Sequence, residues 1–295
     1  MLFLSLDSLV KRSPAAWAIF VTLLWSSSYV LIKWGLRETT PLLFASLRYL
    51  LASAVLLLLA AGTRSLQLSK IPRRDWFTLG MLGISGYAVA QGFQFVGLAH
   101  ITAISTTFVL NFTPVLVALL SWPMIKEVPS HRQWFGIAVA VTGVYFYFGR
   151  FPEGDEVLGL IVVTISTLAW AFYLVKVRKI SPHASISGLA LTALSMTIGA
   201  LFMFGSALMV EGWSVPSLDL GWLIAWLALA NTSGAFLIWN TVLRYMKAYE
   251  VSMLQNTMLI QIAFFAFIFL AETVTFGMLV GMATVLVGVV LVQLR

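Results

Sequence analysis

The chain has 295 residues, 60% of them hydrophobic and only 10% charged, with a formal net charge of +7. A soluble domain carries about 25% charged residues, so this one has too little polar surface to stay in water. Cysteine is absent, which excludes a disulfide framework, a thiolate metal site and a cysteine nucleophile.

The N-terminal stretch MLFLSLDSLVKRSP ends in a basic pair just before the first long apolar run. No small-residue cleavage site follows at signal-peptide distance, so that run reads as a retained helix. Apolar runs of ~20 residues, each long enough to cross ~30 Å of hydrocarbon, recur along the chain. They predict ten spans at about 15–36, 41–61, 75–98, 102–123, 132–149, 157–177, 185–209, 219–243, 250–270 and 274–293. Pro41 opens the second span at a helix first turn, where its missing N–H costs little. Ile71-Pro72 and Ser181-Pro182 fall in connections. Pro114 lies inside the fourth span, where it is expected to loosen the hydrogen-bond ladder and bend it. The predicted fold class is an all-α integral membrane protein.

With the N-terminus in the cytoplasm, fourteen of the 18 Lys and Arg fall inside. They are Lys11, Arg12, Arg64, Lys70, Arg73, Arg74, Lys126, Arg132, Lys176, Arg178, Lys179, Arg244, Lys247 and Arg295. Only Lys33, Arg37 and Arg150 fall outside, and Arg48 lies within the second span. This satisfies the positive-inside rule and puts both termini in the cytoplasm. The outer loops collect Glu153, Asp155, Glu156, Glu211 and Asp219. The basic surplus is thus a topology signal and a contact with the lipid bilayer, and no nucleic-acid partner is implied.

The chain also repeats itself. Asn111, Glu127, Gly136 and Gly143 return as Asn256, Glu272, Gly281 and Gly288, each 145 residues on (256 − 111, 272 − 127). The same shift takes Trp25 to Trp170, Val30 to Val175 and Lys33 to Arg178. Five spans per copy is an odd number, so the second copy enters from the opposite side. Inverted repeats of this kind recur in secondary transporters, with the substrate site between the halves near the midplane.

Several segments in order carry a family resemblance: LLWSSSYVLIK (23–33), PLLFASLRY (41–49), the Pro114 helix followed by Lys126-Glu127, and GIAVAVTGVYF (136–146). LAWAFYLVKVRK (168–179) and AETVTFGMLVGMATVLVGVVL (271–291) match them in the second half. The chain resembles the drug/metabolite transporter superfamily, specifically ten-helix members built from two EamA domains, here 15–149 and 157–293. The resemblance implies a cytoplasmic (inner) membrane carrier, commonly an exporter of amino acids or other small metabolites; the best-understood relatives of this shape export aromatic amino acids. Leu259 stands where Pro114 would project, so the two helices are expected to bend unequally.

Polar groups in hydrocarbon are costly unless they face a cavity or a partner. Tyr87, Gln91 and Gln94 form one stripe of the third span; their counterparts are Thr232, Phe236 and Trp239. The fourth span offers Thr107, Asn111 and Pro114, and the ninth Ser252, Gln255 and Asn256. The first and sixth offer Trp25, Ser28, Tyr29, Trp170 and Tyr173. One reading is a cavity with aromatic walls and adaptable hydrogen-bond partners, suited to a small amphipathic molecule. The other is that these groups bond between helices and that Trp and Tyr mark the membrane interfaces. Asn111 and Asn256, at the expected crossing of the repeats, are the better candidates for the pathway or its hinge.

Arg48 either attracts a substrate carboxylate or snorkels outward, and it is grouped with Pro114, Glu127 and Glu272 as structural or hinge residues. The paired glutamates suggest a matched job, either capping the next helix or pairing with a base. Gly80, Gly83, Gly86, Gly277 and Gly281 read as packing residues. The deep spans hold no Asp or Glu, and His100, His131 and His183 map to loops, so facilitated transport or exchange is the simpler expectation than proton coupling. No Walker A loop, zinc-protease motif or acid/base constellation appears, so neither an enzyme, a cofactor nor a metal is expected. The reading is an exporter of small metabolites, best guess aromatic or hydrophobic amino acids, with the first, third, fourth, sixth, eighth and ninth helices lining the pathway. The fifth and tenth are expected to brace the ends of each half. Organic-cation efflux and lipid handling are the alternatives, and the oligomeric state is left open.

Overall fold

The structure, a computed structural model, describes residues 9–63, 65, 66, 68, 71–149, 153–180, 187–242, 245, 246 and 254–293. Of the residues named above, Arg64, Lys70, Arg150, Ser181, Pro182, His183, Arg244, Lys247, Ser252 and Arg295 lie outside the described residues. Among those described, the fold is helical and without strands. In chain order the helices are α1 (Pro14–Gly35), α2 (Pro41–Gly62), α3 (Arg73–Gly83), α4 (Ala90–His100), α5 (Ala103–Leu110), α6 (Thr113–Ile125) and α7 (His131–Phe148). Then come α8 (Asp155–Ile180), α9 (Gly188–Val210), α10 (Leu218–Ala228), α11 (Ala235–Val242), α12 (Met258–Leu270) and α13 (Phe276–Gln293). A π-helical segment, Ile84–Val89, joins α3 to α4, and a second, Leu229–Gly234, joins α10 to α11.

Among the described residues seven helical stretches are long and apolar enough to cross a membrane: Pro14–Gly35, Pro41–Gly62, Ala103–Ile125, Asp155–Lys179, Gly188–Val210, Leu218–Trp239 and Phe276–Gln293. The protein is a multi-pass membrane protein. Proline opens α1 and α2 in their first turns. A reciprocal cap opens α7: the Ser130 hydroxyl accepts from the Gln133 N–H, and the Gln133 side chain accepts from the Ser130 N–H. Two donors that a helix start leaves unpaired are thereby satisfied.

The repeat is visible in the element bounds. α3 and α10, the two π segments, α6 and α12, and α7 and α13 each begin 145 residues apart (218 − 73, 229 − 84, 258 − 113, 276 − 131) and end with the same offset. Lys126 (φ 60°) and Ala271 (φ 54°), which cap α6 and α12 in the left-handed conformation, obey the same shift. A residue with a Cβ adopts that conformation at a cost of about 1–2 kcal/mol, and both copies bear it at the same position.

The expectation that Pro114 loosens the fourth span agrees with the structure: the ladder breaks at Asn111–Phe112, one turn before Pro114, which has no N–H to give the Leu110 carbonyl. The second copy, with Leu259 in place of Pro114, also breaks, at Thr257, the position equivalent to Phe112. The Thr257 hydroxyl donates to the Leu254 carbonyl at 2.6 Å, and Thr113 makes a like bond to Leu110 at 2.7 Å. Such back-bonding competes with the helix ladder, and the second copy breaks without a proline at that position.

α7 and α13, expected to brace separate halves, pack on each other. A Cβ on Gly288 would lie 2.5 Å from the Ala140 nitrogen, and one on Gly143 would lie 2.9 Å from the Gly281 carbonyl oxygen. Lipid is as apolar as the helix surfaces, so association rests on this close backbone approach. α3 and α9 meet the same way at Gly83 and Gly199. Gly80, by contrast, has open space around it.

Candidate functional site

Arg48 and Tyr49 sit side by side in α2, and each meets one of the π segments. A π turn displaces backbone groups from the α-helical ladder, and such turns often mark functional positions. In the second segment the hydroxyls of Thr232 and Ser233 donate to the carbonyls five residues back, Leu227 at 2.9 Å and Ala228 at 3.0 Å. Thr232 Oγ1 in turn accepts from Arg48 Nε at 3.0 Å. The Ser233 hydroxyl also lies 3.1 Å from the Ala52 carbonyl of α2.

In the first segment the residue equivalent to Thr232 is Tyr87. Its ring centroid lies 6.1 Å from that of Tyr49, and its hydroxyl is 3.3 Å from that of Tyr173 on α8. The Tyr49 hydroxyl donates to Gln91 Oε1 at 2.7 Å. Trp170 stacks on Tyr173, centroids 4.9 Å apart. Arg48, Tyr49, Tyr87, Tyr173 and Thr232 are buried; Gln91 and Trp170 are half-buried. Gln94, also half-buried, lies one turn along α4 beside Tyr29.

A second cluster adjoins the first through Asn231, the neighbour of Thr232. Asn231 is wholly buried and donates to Ser28 Oγ at 2.8 Å and Ser27 Oγ at 3.2 Å on α1. Its Oδ1 has no partner among the described residues. On the same helix Trp25 lies 4.9 Å from Trp239 and 5.8 Å from Phe236, centroid to centroid. Gln261 of α12 accepts from Ser26 at 2.9 Å and donates to Thr22 at 3.1 Å.

The structure thus brings together Trp25, Ser28 and Trp239 in one cluster, and Tyr87, Gln91, Trp170, Tyr173 and Arg48 in the other. The paired asparagines stand at the helix breaks. The Asn111 amide donates to the Thr107 carbonyl of its own helix at 2.9 Å, and Asn256 donates to Gln293 at 2.9 Å at the end of α13. Gln255 is exposed. Asn231 and Gln261 escaped the sequence reading because their counterparts are Gly86 and Leu116, so the repeat did not flag them. The signal available was a buried-type amide on an otherwise apolar helix.

The glutamates serve the two ends of the bundle. Glu272 accepts from the N–H groups of Ala103 at 2.7 Å and Ile104 at 3.1 Å, capping α5. Beside it Lys33 Nζ donates to the Ile101 carbonyl at 2.7 Å, and the two side chains help line a pocket of about 350 Å³ with Arg37. Beyond the other end of α6, Glu127 pairs with Arg178 at 2.8 Å in an exposed ion pair. Among the described residues, one glutamate caps a helix and the other pairs with a base. Glu211, unsuspected from sequence, caps α2 through Leu42 at 3.1 Å and Leu43 at 2.9 Å. Among the described residues no three His, Cys, Asp or Glu side chains gather to hold a metal.

A lipid-solvated helical bundle built from a repeated unit, with a polar, aromatic-walled seam inside it, has the architecture of a membrane transporter. The chain belongs to the EamA-like transporter family, whose sequence profile matches residues 12–149 and again residues 157–294. An uncharacterized transporter of Archaeoglobus fulgidus is 27% identical over 276 residues, covering 91% of this chain and 93% of that one. The uncharacterized transporter YoaV of Bacillus subtilis is 24% identical, covering 92% and 93%. An S-adenosylmethionine/S-adenosylhomocysteine transporter of Chlamydia muridarum is 23% identical, covering 98% and 94%. A solved crystal structure superposes with a TM-score of 0.69 over 95% of this chain and 97% of that one, at 17% identity, a likeness of fold.

Proposed function

We propose that the protein is a secondary carrier of the cytoplasmic membrane, with ten spans in two inverted five-helix repeats and both termini in the cytoplasm. It exports small solutes that carry an amino-acid group and a flat apolar group, aromatic amino acids being the first class to test. The observation that carries this reading is an asymmetry at equivalent positions. After the π segment the first copy presents Gln91 and Gln94, whereas the second presents Phe236 and Trp239. The seam therefore has an amide and hydroxyl side, with Tyr49 on Gln91, and an aromatic side, with Trp25 against Phe236 and Trp239. An amphipathic solute meets both requirements at once, rings against rings and polar head against amides. The chlamydial relative named for S-adenosylmethionine, an amino acid bearing a flat base, supports the same solute chemistry.

Counterflow in proteoliposomes tests it. Protein loaded with unlabelled amino acids should take up labelled tryptophan or phenylalanine saturably, and a polar amino acid poorly. No uptake of any amino acid or of S-adenosylmethionine by folded protein would sink the reading. A second reading, lipid handling, is favoured by a lateral groove of about 490 Å³ lined by Phe77, Gly80, Met81, Ile84, Ser85, Val89 and Ala169. Scrambling of labelled phospholipid in the same vesicles would support it. Organic-cation efflux lacks an acidic partner at the seam.

A further inference from the structure

Arg48 is 95% buried, with a relative exposure of 5%, and it is the one cation among the described residues of the central seam. Its Nε is used in the bond to Thr232. Its guanidinium lies 5.4 Å from the Tyr49 ring centroid and 5.8 Å from that of Phe95. Ring faces temper a cation but do not neutralise it. Among the described residues no carboxylate lies within ion-pair distance, and Nη1 and Nη2 donate no hydrogen bond. Yet they are not among the sealed unpaired atoms of the described residues, which are Thr39 Oγ1, Thr40 Oγ1 and Asn231 Oδ1. The small exposed part of Arg48 therefore includes its amino groups. A buried charge without a paired counter-charge is retained in a membrane span where a ligand or pathway uses it.

We propose that Arg48 is the subsite for a carboxylate of the transported solute, bound through the free Nη1 and Nη2 edge while Nε stays on Thr232. This rests on, and deepens, the amino-acid reading above. A planar guanidinium matches a carboxylate with two parallel N–H bonds, and a single fixed positive charge balances one negative charge. Gln91 is set to assist: its Oε1 is occupied by Tyr49, which turns the amide nitrogen into the remaining donor. The arrangement holds Arg48 from behind, through Thr232 of the other copy, and leaves its front edge for the solute.

The test is ligand-induced thermal stabilisation of purified protein by indole-3-acetate against indole-3-acetamide, with tryptophan against tryptamine as a second pair. The wild type should bind each carboxylate about tenfold or more tightly than its uncharged or decarboxylated partner. Arg48→Gln and Arg48→Lys should abolish or sharply reduce that preference, Lys retaining charge but not the fork. If Arg48→Gln does not fold, Arg48→Lys carries the comparison. A structural role would weaken both members of a pair alike. An equal response to both members in the wild type, or a preference surviving in the folded variants, overturns the assignment. Tryptophan counterflow is read separately: its failure beside a retained carboxylate preference strikes the amino-acid reading and leaves the subsite standing.

Discussion

Glu127 and Glu272 occupy the same position in the two copies: among the described residues Glu272 caps the start of α5 through two backbone N–H groups, while Glu127 is bound to Arg178 at 2.8 Å. Their basic partners are also repeat equivalents, Lys33 and Arg178. At one end the couple clasps a helix start, with Lys33 on the Ile101 carbonyl. At the other, among the described residues, it forms an ion pair. The stretch from Ala103 to Ile125 separates the two ends.

The two glutamates should respond unequally to loss of charge. Glu272→Gln weakens two charge-assisted bonds at a helix N-terminus and should lower stability by about 1–3 kcal/mol. Glu127→Gln removes one exposed ion pair and should change it by less than about 1 kcal/mol. Unfolding of the detergent-purified proteins checks both, and equal effects would contradict the assignment of roles.

The α7–α13 contact should reject a side chain. Gly288→Val places a Cβ 2.5 Å from the Ala140 nitrogen, and backbone cannot yield as a flexible side chain can. The expected loss is about 1–3 kcal/mol. Gly221→Ala, with nothing within 4 Å of the added Cβ, should be neutral or raise stability by up to about 1 kcal/mol, because glycine weakens a helix interior. A thermal midpoint for each variant decides.

Trp25→Ala should act on transport more than on folding. Trp25 is half-buried and faces Phe236 and Trp239, and an aromatic pair contributes about 0.5–1.5 kcal/mol beyond its area. The apparent affinity for an aromatic solute should fall by about twofold to tenfold, with a smaller change for an aliphatic one. Competition curves in counterflow give both numbers.

The Tyr49–Gln91 bond should be measurable by a double-mutant cycle. Tyr49→Phe and Gln91→Leu singly each strand one partner, and together they strand neither. A coupling of about 0.5–1.5 kcal/mol in unfolding free energy is expected, and additivity would show that the 2.7 Å bond contributes nothing net.

Much of the fold was legible in residue spacing. The 145-residue offset, read from Asn, Glu, Gly and Trp, reappears in the bounds of four pairs of elements and in Lys126 and Ala271. The site was less legible. Asn111 and Asn256, singled out at the expected crossing of the repeats, stand at the helix breaks and bond to Thr107 and Gln293. Asn231, which ties α1 to the second π segment, does not repeat. Repetition therefore found Trp25 and Trp170, which lie in the two clusters, but gave no sign of Asn231, whose equivalent is Gly86.

By itself the sequence determined a lipid-solvated helical protein and its doubled unit, because hydrophobic length and the offset between copies are properties of the chain in one dimension. Only the tertiary structure decided that α7 and α13 share one glycine seam and that Arg48 meets Thr232 of the other copy. Those outcomes depend on which faces meet across more than a hundred residues of chain. Close packing and hydrogen-bond pairing settle such meetings in three dimensions, and neither leaves a periodic trace along the sequence.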